Sequence, residues 1–390
     1  MRKPYSQFFL LDPQIHFLNH GSFGACPRPV FAAYQAWQRL LEDQPVLFLG
    51  RDLPRYDQLA RQALGAYLNV PANDLAYVPN ATYAVNLVAR SIHLQPGDEI
   101  LTSDHEYGAC DYTWEFICQQ SGASYRHHPI PLPANSPEDI AEQFWADVRP
   151  NTRLIFLSHI TSPTALTLPV QNICARARSA GILTFIDGAH APGQIPLDLS
   201  SLQADFYTGN CHKWMLSPKG AGFLYAAPSV QSILEPLVVS WGYKATPQTT
   251  TGSRFIDIMQ WTGTHDPAAA LTVPSAIEFM QINNWPEVAK ECQALLQQTL
   301  SDLSSLTKLP PIYPDLTLLN QQMGSAPLPP NTDTNLLKTR LYEEYKIEVP
   351  IIEWQKQKLI RVSIQAYNTQ ADTQALLEAL QTLLPQVQLS

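Results

Sequence analysis

The sequence predicts an α/β fold: a large domain with a mostly parallel sheet flanked by helices, plus a smaller α/β domain. Three observations carry that expectation. Between residues 55 and 265, short apolar runs ending in polar residues alternate with stretches of helical periodicity, as in strand–helix units whose sheet is covered on both faces. After residue 266 the texture changes to long helical patterns, a proline-rich stretch, two short strands and a closing helix. And 390 residues are enough for one large domain and a smaller one.

Element by element, Arg55 to Leu68 places Leu59, Ala63, Leu64, Tyr67 and Leu68 at helical spacing, so a helix is expected there. Glu99 to Thr102, Arg153 to Ser158 and Leu183 to Asp187 read as strands, with helices at Ala109 to Ser121 and Val170 to Ala180 between them. Val78 to Asn86 reads as a strand, a turn and a helix start. Further on, Asp266 to Asn284 and Trp285 to Leu306 are expected helices. Leu309 to Pro330 is rich in proline and polar residues and is expected to hold a strand and an exposed loop. Asn331 to Tyr345 is an expected helix, Ile347 to Ile352 and Leu359 to Ile364 are strands, and Asp372 to Leu384 is the closing helix. In sheets of this kind, ligands bind beyond the carboxyl ends of the strands.

Composition narrows the function. The formal net charge is −9 and no run of lysine or arginine stands out, so no nucleic-acid or anionic-membrane partner is expected. No stretch approaches the roughly 20 apolar residues of a membrane-crossing helix. The start, Met1 to Tyr5, has no apolar stretch or cleavage site after it, so no signal peptide is expected. The six cysteines are scattered, with no Cys-x-x-Cys and no His-Glu-x-x-His. Reduced thiols, a cytoplasmic location and no metal site follow as expectations.

Two strings carry the chemistry: Gly181 to His190, ending Phe-Ile-Asp-Gly-Ala-His, and Ala204 to Trp214, ending Thr-Gly-Asn-Cys-His-Lys-Trp. Alone, Asp187 suits a turn or a helix cap as well as a ligand site, and Lys213 suits a surface charge. Together they sit at the ends of two apolar runs joined by a linker, Ala191 to Asp198, too short for a full helix. Their strands should therefore be close. A lysine and a carboxylate so placed are what pyridoxal phosphate requires. The amine forms a Schiff base with the aldehyde, and the carboxylate keeps the ring nitrogen protonated.

With Thr-Gly-Asn ahead of His-Lys-Trp and Asp-Gly-Ala-His upstream, the chain resembles the class V aminotransferase family of fold-type-I pyridoxal phosphate enzymes over nearly its whole length. Asn19 to Gly24, Thr161 to Ala165 and Trp261 to Asp266 most resemble the isopenicillin N epimerase-like branch. The resemblance implies that residues 1–45 join the small domain, that 46–265 form the cofactor-binding domain and that 266–390 complete the small domain. It also implies that Ala81, Thr82, Asn210 and His212 hold the cofactor phosphate, Asn210 standing where many relatives carry serine. Tyr107 stacks on the ring where many relatives place a histidine. Ser158 to Thr164 border the phenolic oxygen, Ser162 foremost among them, and His190 orients Asp187 or meets that same oxygen. Thr264, after Gly263, reaches the phosphate of the neighbouring subunit in a homodimer, or simply caps a helix. Arg361, in a string resembling the family's Arg-x-Ser…Tyr-Asn segment, binds the substrate carboxylate, with Asn19, His20 and Gly21 lining the same pocket. Arg254 suits a distal carboxylate or a surface salt bridge.

Lys213 is the expected base at Cα, and three outcomes remain open. The leading expectation is epimerisation of an amino acid or short peptide; the alternatives are carbon–sulfur β-elimination and transamination. A non-catalytic scaffold is disfavoured by intact Lys213, Asp187 and Arg361. Residues 309–335 contain no cysteine, which disfavours the persulfide chemistry of cysteine desulfurases.

Overall fold

In the computed structural model, the described residues are 5–389 apart from 135, 245, 247–249, 314–318 and 320. Residues 1–4, which belong to the signal-peptide expectation, lie outside them, as does part of the expected strand and loop of 309–330.

Twelve strands are present among the described residues: β1 (His16–Phe17), β2 (Leu75–Val78), β3 (Glu99–Ser103), β4 (Ser124–His128), β5 (Thr152–Ser158), β6 (Leu183–Asp187), β7 (Phe206–Asn210), β8 (Gly222–Ala226), β9 (Met323–Pro327), β10 (Ile347–Glu348), β11 (Ile351–Trp354) and β12 (Gln357–Ser363). Seven form one sheet in the order β2-β8-β7-β6-β5-β3-β4. The neighbours from β7 to β4 pair in parallel, and β8 runs antiparallel to both β2 and β7. The expected mostly parallel sheet is therefore present, with one reversed strand inside it.

Alternation along the strands explains why the sheet is buried twice. Ile155, Leu157, Ile186 and Tyr207 face one apolar cluster. Their neighbours Leu154, Phe156, Phe185 and Phe206 face another. Successive strand residues point to opposite faces, so near-continuous apolar runs require cover on both sides. Helices Ala81–Ser91, Gly108–Ser121, Val170–Ala180 and Leu53–Leu68 are among those that supply it. They match the expected helices to within a residue or two.

Toward the C terminus, β11-β12-β9 form an antiparallel sheet and β1 pairs in parallel with β10. Residues near the start of the chain thus dock on a strand from its last fifth. Two expected elements are interrupted. The single helix Asp266 to Asn284 is two helices, Ala268–Leu271 and Val273–Ile282, because Pro274 has no N–H with which to continue the first. The strand Ile347 to Ile352 is split into β10 and β11, because Pro350 between them cannot donate to a ladder.

Candidate active site

Five strand ends converge on one cavity of about 230 Å³. After β2 the chain turns at Asn80 into helix Ala81–Ser91, with the Asn80 side chain accepting from Tyr83 N–H as the cap. Ala81 and Thr82 line the cavity, placing it against the positive end of that helix. β3 leads to Tyr107, β5 to Ser158 and Ser162, β6 to Asp187 and His190, and β7 to Asn210, His212 and Lys213, all of them lining residues. The Asp187–Thr208 register of β6 and β7 confirms the proximity read from the short linker.

Local contacts fix each group. Asn210 turns its carbonyl oxygen to the N–H of Ala81 at 2.9 Å, tying the end of β7 to the helix N-terminus. His212 Nδ1 meets the carbonyl of Ala221 at 2.9 Å, and burial pushes the imidazole down to about 4. Asp187 accepts the N–H of Ala189 at 2.8 Å and the thiol of Cys110 at 3.6 Å. Burial raises its carboxyl above the usual range, partly offset by the Ala189 bond and the Lys213 charge. Lys213 Nζ lies 3.1 Å from His190 Nε2. Burial pushes the amine down to about 8, with the Arg361 charge acting the same way and Asp187 opposing. His190 is held well below its ordinary value, chiefly by burial and then by the charges of Lys213 and Arg361. It bonds to Lys213 and Trp214 rather than to Asp187.

Arg361, on β12, reaches across to this wall. One guanidinium nitrogen donates to the carbonyl and, at 3.1 Å, to the hydroxyl of Ser162; another lies 3.3 Å from Ser22 Oγ. Its Nε is buried without a partner, and burial lowers the group to about 10.

The structure therefore brings together Ala81, Thr82, Tyr107, Ser162, Asp187, His190, Asn210, His212 and Lys213. It places five others differently. Asn19, His20 and Gly21 are buried and are not lining residues. His20 bonds Tyr367 Oη through Nδ1 and the Lys213 carbonyl through Nε2, so it buttresses the lysine backbone from below. The wall is made instead by the next two residues, Ser22 and Phe23, at the end of the short helix His20–Phe23. Gly24 follows with φ 71°; a Cβ there would lie 2.3 Å from the carbonyl oxygen of His212, so this approach to the lysine backbone requires glycine. Thr264 stands on an exposed bend outside the cavity, after Gly263, and the following helix takes its cap from Asp266, whose carboxylate accepts Ala268 N–H. Arg254 donates to the carbonyls of Gly242 and Tyr243 and lies over the Tyr243 ring; neither a carboxylate ligand group nor a surface ion pair engages it among the described residues.

The sequence reading missed Ser22, Phe23, Asn80 and Ala189 as lining residues, while Ser158 and Ile160 fall in the stretch from Ser158 to Thr164 that it placed beside the ring. Ser22, Phe23 and Asn80 belong to strings already singled out, so the strings located the wall and only the facing residue was misread. It also missed Glu106, whose buried carboxyl accepts from Ser103 Oγ and from both the N–H and hydroxyl of Ser158.

This donor set fits pyridoxal phosphate. It offers an amine, a buried carboxyl short of strong donors, a helix N-terminus for a phosphate, and a buried arginine with an unused N–H. The family model for aminotransferase class-V matches residues 54–376. The chain belongs to that family. It is 39% identical to isopenicillin N epimerase of Amycolatopsis lactamdurans, over 96% of each chain. It is 26% identical to L-cysteine desulfhydrase of Arabidopsis thaliana, covering 94% of this chain and 87% of the other. Among solved structures, a C-DES mutant with glycine covalently linked to the PLP cofactor superposes with a TM-score of 0.80 at 22% identity, over 95% of this chain and 97% of that one. The family and fold expected from the resemblance both stand.

Proposed function

We propose that the chain is a pyridoxal phosphate-dependent epimerase acting at Cα of an amino acid or short peptide. The observation that carries this is the meeting of Lys213 and Asp187, from adjacent strand ends, in one cavity closed by a helix N-terminus. Pyridoxal phosphate, when bound, supplies an electron sink that makes a Cα proton acidic. The residues of the chain do the rest. Lys213 Nζ, lowered to about 8, is matched to moving a proton on one face of Cα near neutral pH, and inversion requires a second acid–base group on the opposite face. Asp187 holds the ring nitrogen. Ala81, Thr82, Asn210 and His212 hold the phosphate, Tyr107 covers the ring, and Ser162 and His190 border its oxygen. Arg361 takes the substrate carboxylate with its planar fork, with Ser22 as its neighbour.

The near-full-length likeness to an epimerase supports the isomerase reading. A carbon–sulfur lyase is the second reading, supported by the desulfhydrase relative; neither needs the cysteine that residues 309–335 lack. Thr264 and Gly263 complete the neighbour's phosphate site in a homodimer. The cofactor-binding unit is 46–265, the smaller unit is built from 1–45 and 266–390, and the enzyme works in the cytoplasm. No helix among the described residues is long and apolar enough to cross a membrane.

The test is direct. Protein reconstituted with pyridoxal phosphate should be yellow and bleach with borohydride, and a panel of amino acids and short peptides should show Cα hydrogen–deuterium exchange without release of pyruvate or sulfide. Sulfide with pyruvate would select the lyase reading instead. Lys213→Ala should lose colour and exchange together; a variant that kept turnover would remove Lys213 from its role.

A further inference from the structure

Behind Lys213 lies a hydrogen-bonded relay that fixes a tautomer. The indole Nε1 of Trp214 is 3.3 Å from His190 Nδ1, and an indole nitrogen can only donate. His190 Nδ1 is therefore the acceptor and carries no proton. The ring is buried and neutral at physiological pH, so its one proton sits on Nε2. Nε2 is the atom 3.1 Å from Lys213 Nζ. An N–H facing an amine needs a lone pair to accept it, and only the free base of lysine has one. Trp214 is itself fully buried, packed on the His20 ring at 4.8 Å between centroids, which leaves its N–H no freedom to turn away.

We propose that Trp214 locks His190 as the Nε2–H tautomer, so that His190 donates to Lys213 and favours the free-base form of the amine, the form that captures an aldehyde. His190 and Trp214 are positioning residues here: they act through Lys213 and in the protein before any cofactor arrives. The same lock has a second consequence. Once Lys213 is engaged elsewhere, His190 can still only donate through Nε2, so it presents an N–H to whichever oxygen next occupies that wall of the cavity. The inference rests on Lys213 being the capturing amine.

Other charged and titratable groups face this pair: Arg361 and His20 on His190, and Arg361, Asp187 and Cys110 on Lys213. None of these is altered by removing the indole N–H, which makes the substitution selective. In cofactor-free protein, the rate at which pyridoxal phosphate is captured, followed by absorbance, should rise with pH to a midpoint near 8 and then level off. Trp214→Phe keeps the ring against His20 but lets the proton move to Nδ1, so that Nε2 can accept from the charged amine. Its midpoint should move up by about one unit, with capture at pH 7 slowed roughly tenfold, the value of about one hydrogen bond. An unchanged midpoint in Trp214→Phe overturns the proposal. Nitrogen-15 spectra of the unsubstituted, cofactor-free protein test it even if Trp214→Phe does not fold: the proton of His190 should be on Nε2, and a proton on Nδ1 overturns the relay. Absence of capture at every pH is a different failure, one that removes the cofactor reading and leaves the tautomer result standing.

Discussion

Replacing Arg361 by methionine should separate function from folding. The guanidinium is buried and, among the described residues, bonds Ser162 and Ser22 with no carboxylate partner. Its fall from the ordinary value to about 10 means that keeping it charged in the fold costs roughly 3 kcal/mol at neutral pH. That penalty is complete below the folded value and fades only at higher pH, where the unfolded group alone stays charged. Methionine removes the penalty. It also loses the three contacts to serine oxygens, each worth about 1 kcal/mol, so the two effects nearly cancel. The melting temperature of cofactor-free Arg361→Met should therefore stay within a few degrees of the parent. Catalysis should not survive. A bidentate charge-assisted pair with a substrate carboxylate is worth about 3–5 kcal/mol, so kcat/KM should fall by roughly two to four decades. Differential scanning calorimetry and steady-state exchange kinetics on one preparation measure both. Retained kcat/KM would refute the carboxylate role; a collapse in melting temperature would show that Arg361 is structural, with its charge satisfied by the chain itself.

Glu106 gives a pH signature. Burial pushes its carboxyl up to about 8 against the hydrogen bonds of Ser103 and Ser158. A raised folded value stabilises fully below the unfolded value near 4.5 and is lost as pH rises through about 8. In Glu106→Gln that loss, roughly 4–5 kcal/mol between those limits, should disappear from the stability–pH curve measured by urea denaturation; an unchanged curve would show an ionised Glu106. Asp187→Asn should weaken retention of pyridoxal phosphate at least tenfold in equilibrium dialysis, because an amide cannot hold a protonated ring nitrogen by charge; equal retention would remove Asp187 from its role. If Thr264 serves the partner's site, mixing Lys213→Ala with Thr264→Arg chains should restore activity to about a quarter of the parent, from one intact site in half the dimers. No recovery from stable mixed dimers would place Thr264 outside both sites.

The parts legible in the sequence were those where one local pattern fixes one outcome. Apolar runs such as Leu183 to Asp187 have few homes other than a doubly covered strand, and they landed where expected. The short linker after Ala191 bounded a distance, which is why Lys213 and Asp187 could be paired without a structure. Facing was harder. Asn19, His20 and Gly21 are consecutive with Ser22 and Phe23 in a tight turn, where a shift of one or two positions rotates a side chain from the cavity to the core. Prolines also mattered more than periodicity. Pro274 and Pro350 break elements whose apolar spacing runs straight through them, since spacing reports a face and says nothing of the missing N–H. Glu106 escaped because a glutamate in a strand-to-helix turn reads as solvated, and only the meeting of β3 with β5 buries it.

The charge pattern of the cavity ties these pieces together. His20, His190 and His212 are each held neutral by burial, down to about 3 for His20 and about 4 for His212, so they add hydrogen-bonding groups without charge. Glu106 is neutral at pH 7 by the same physics. The remaining buried charges are Arg361, a partly ionised Lys213 and Asp187, with the positive end of helix Ala81–Ser91 added. In a chain of net charge −9, this pocket leans positive. Two donor sets stand apart: the N-terminus of helix Ala81–Ser91 with Asn210 and His212 lining the cavity, and Arg361 behind Ser162 and Ser22. Lys213, next to His212, also lines the cavity and feels the charge of Arg361. Such a pocket favours a ligand that is anionic at both ends and reacts in its middle.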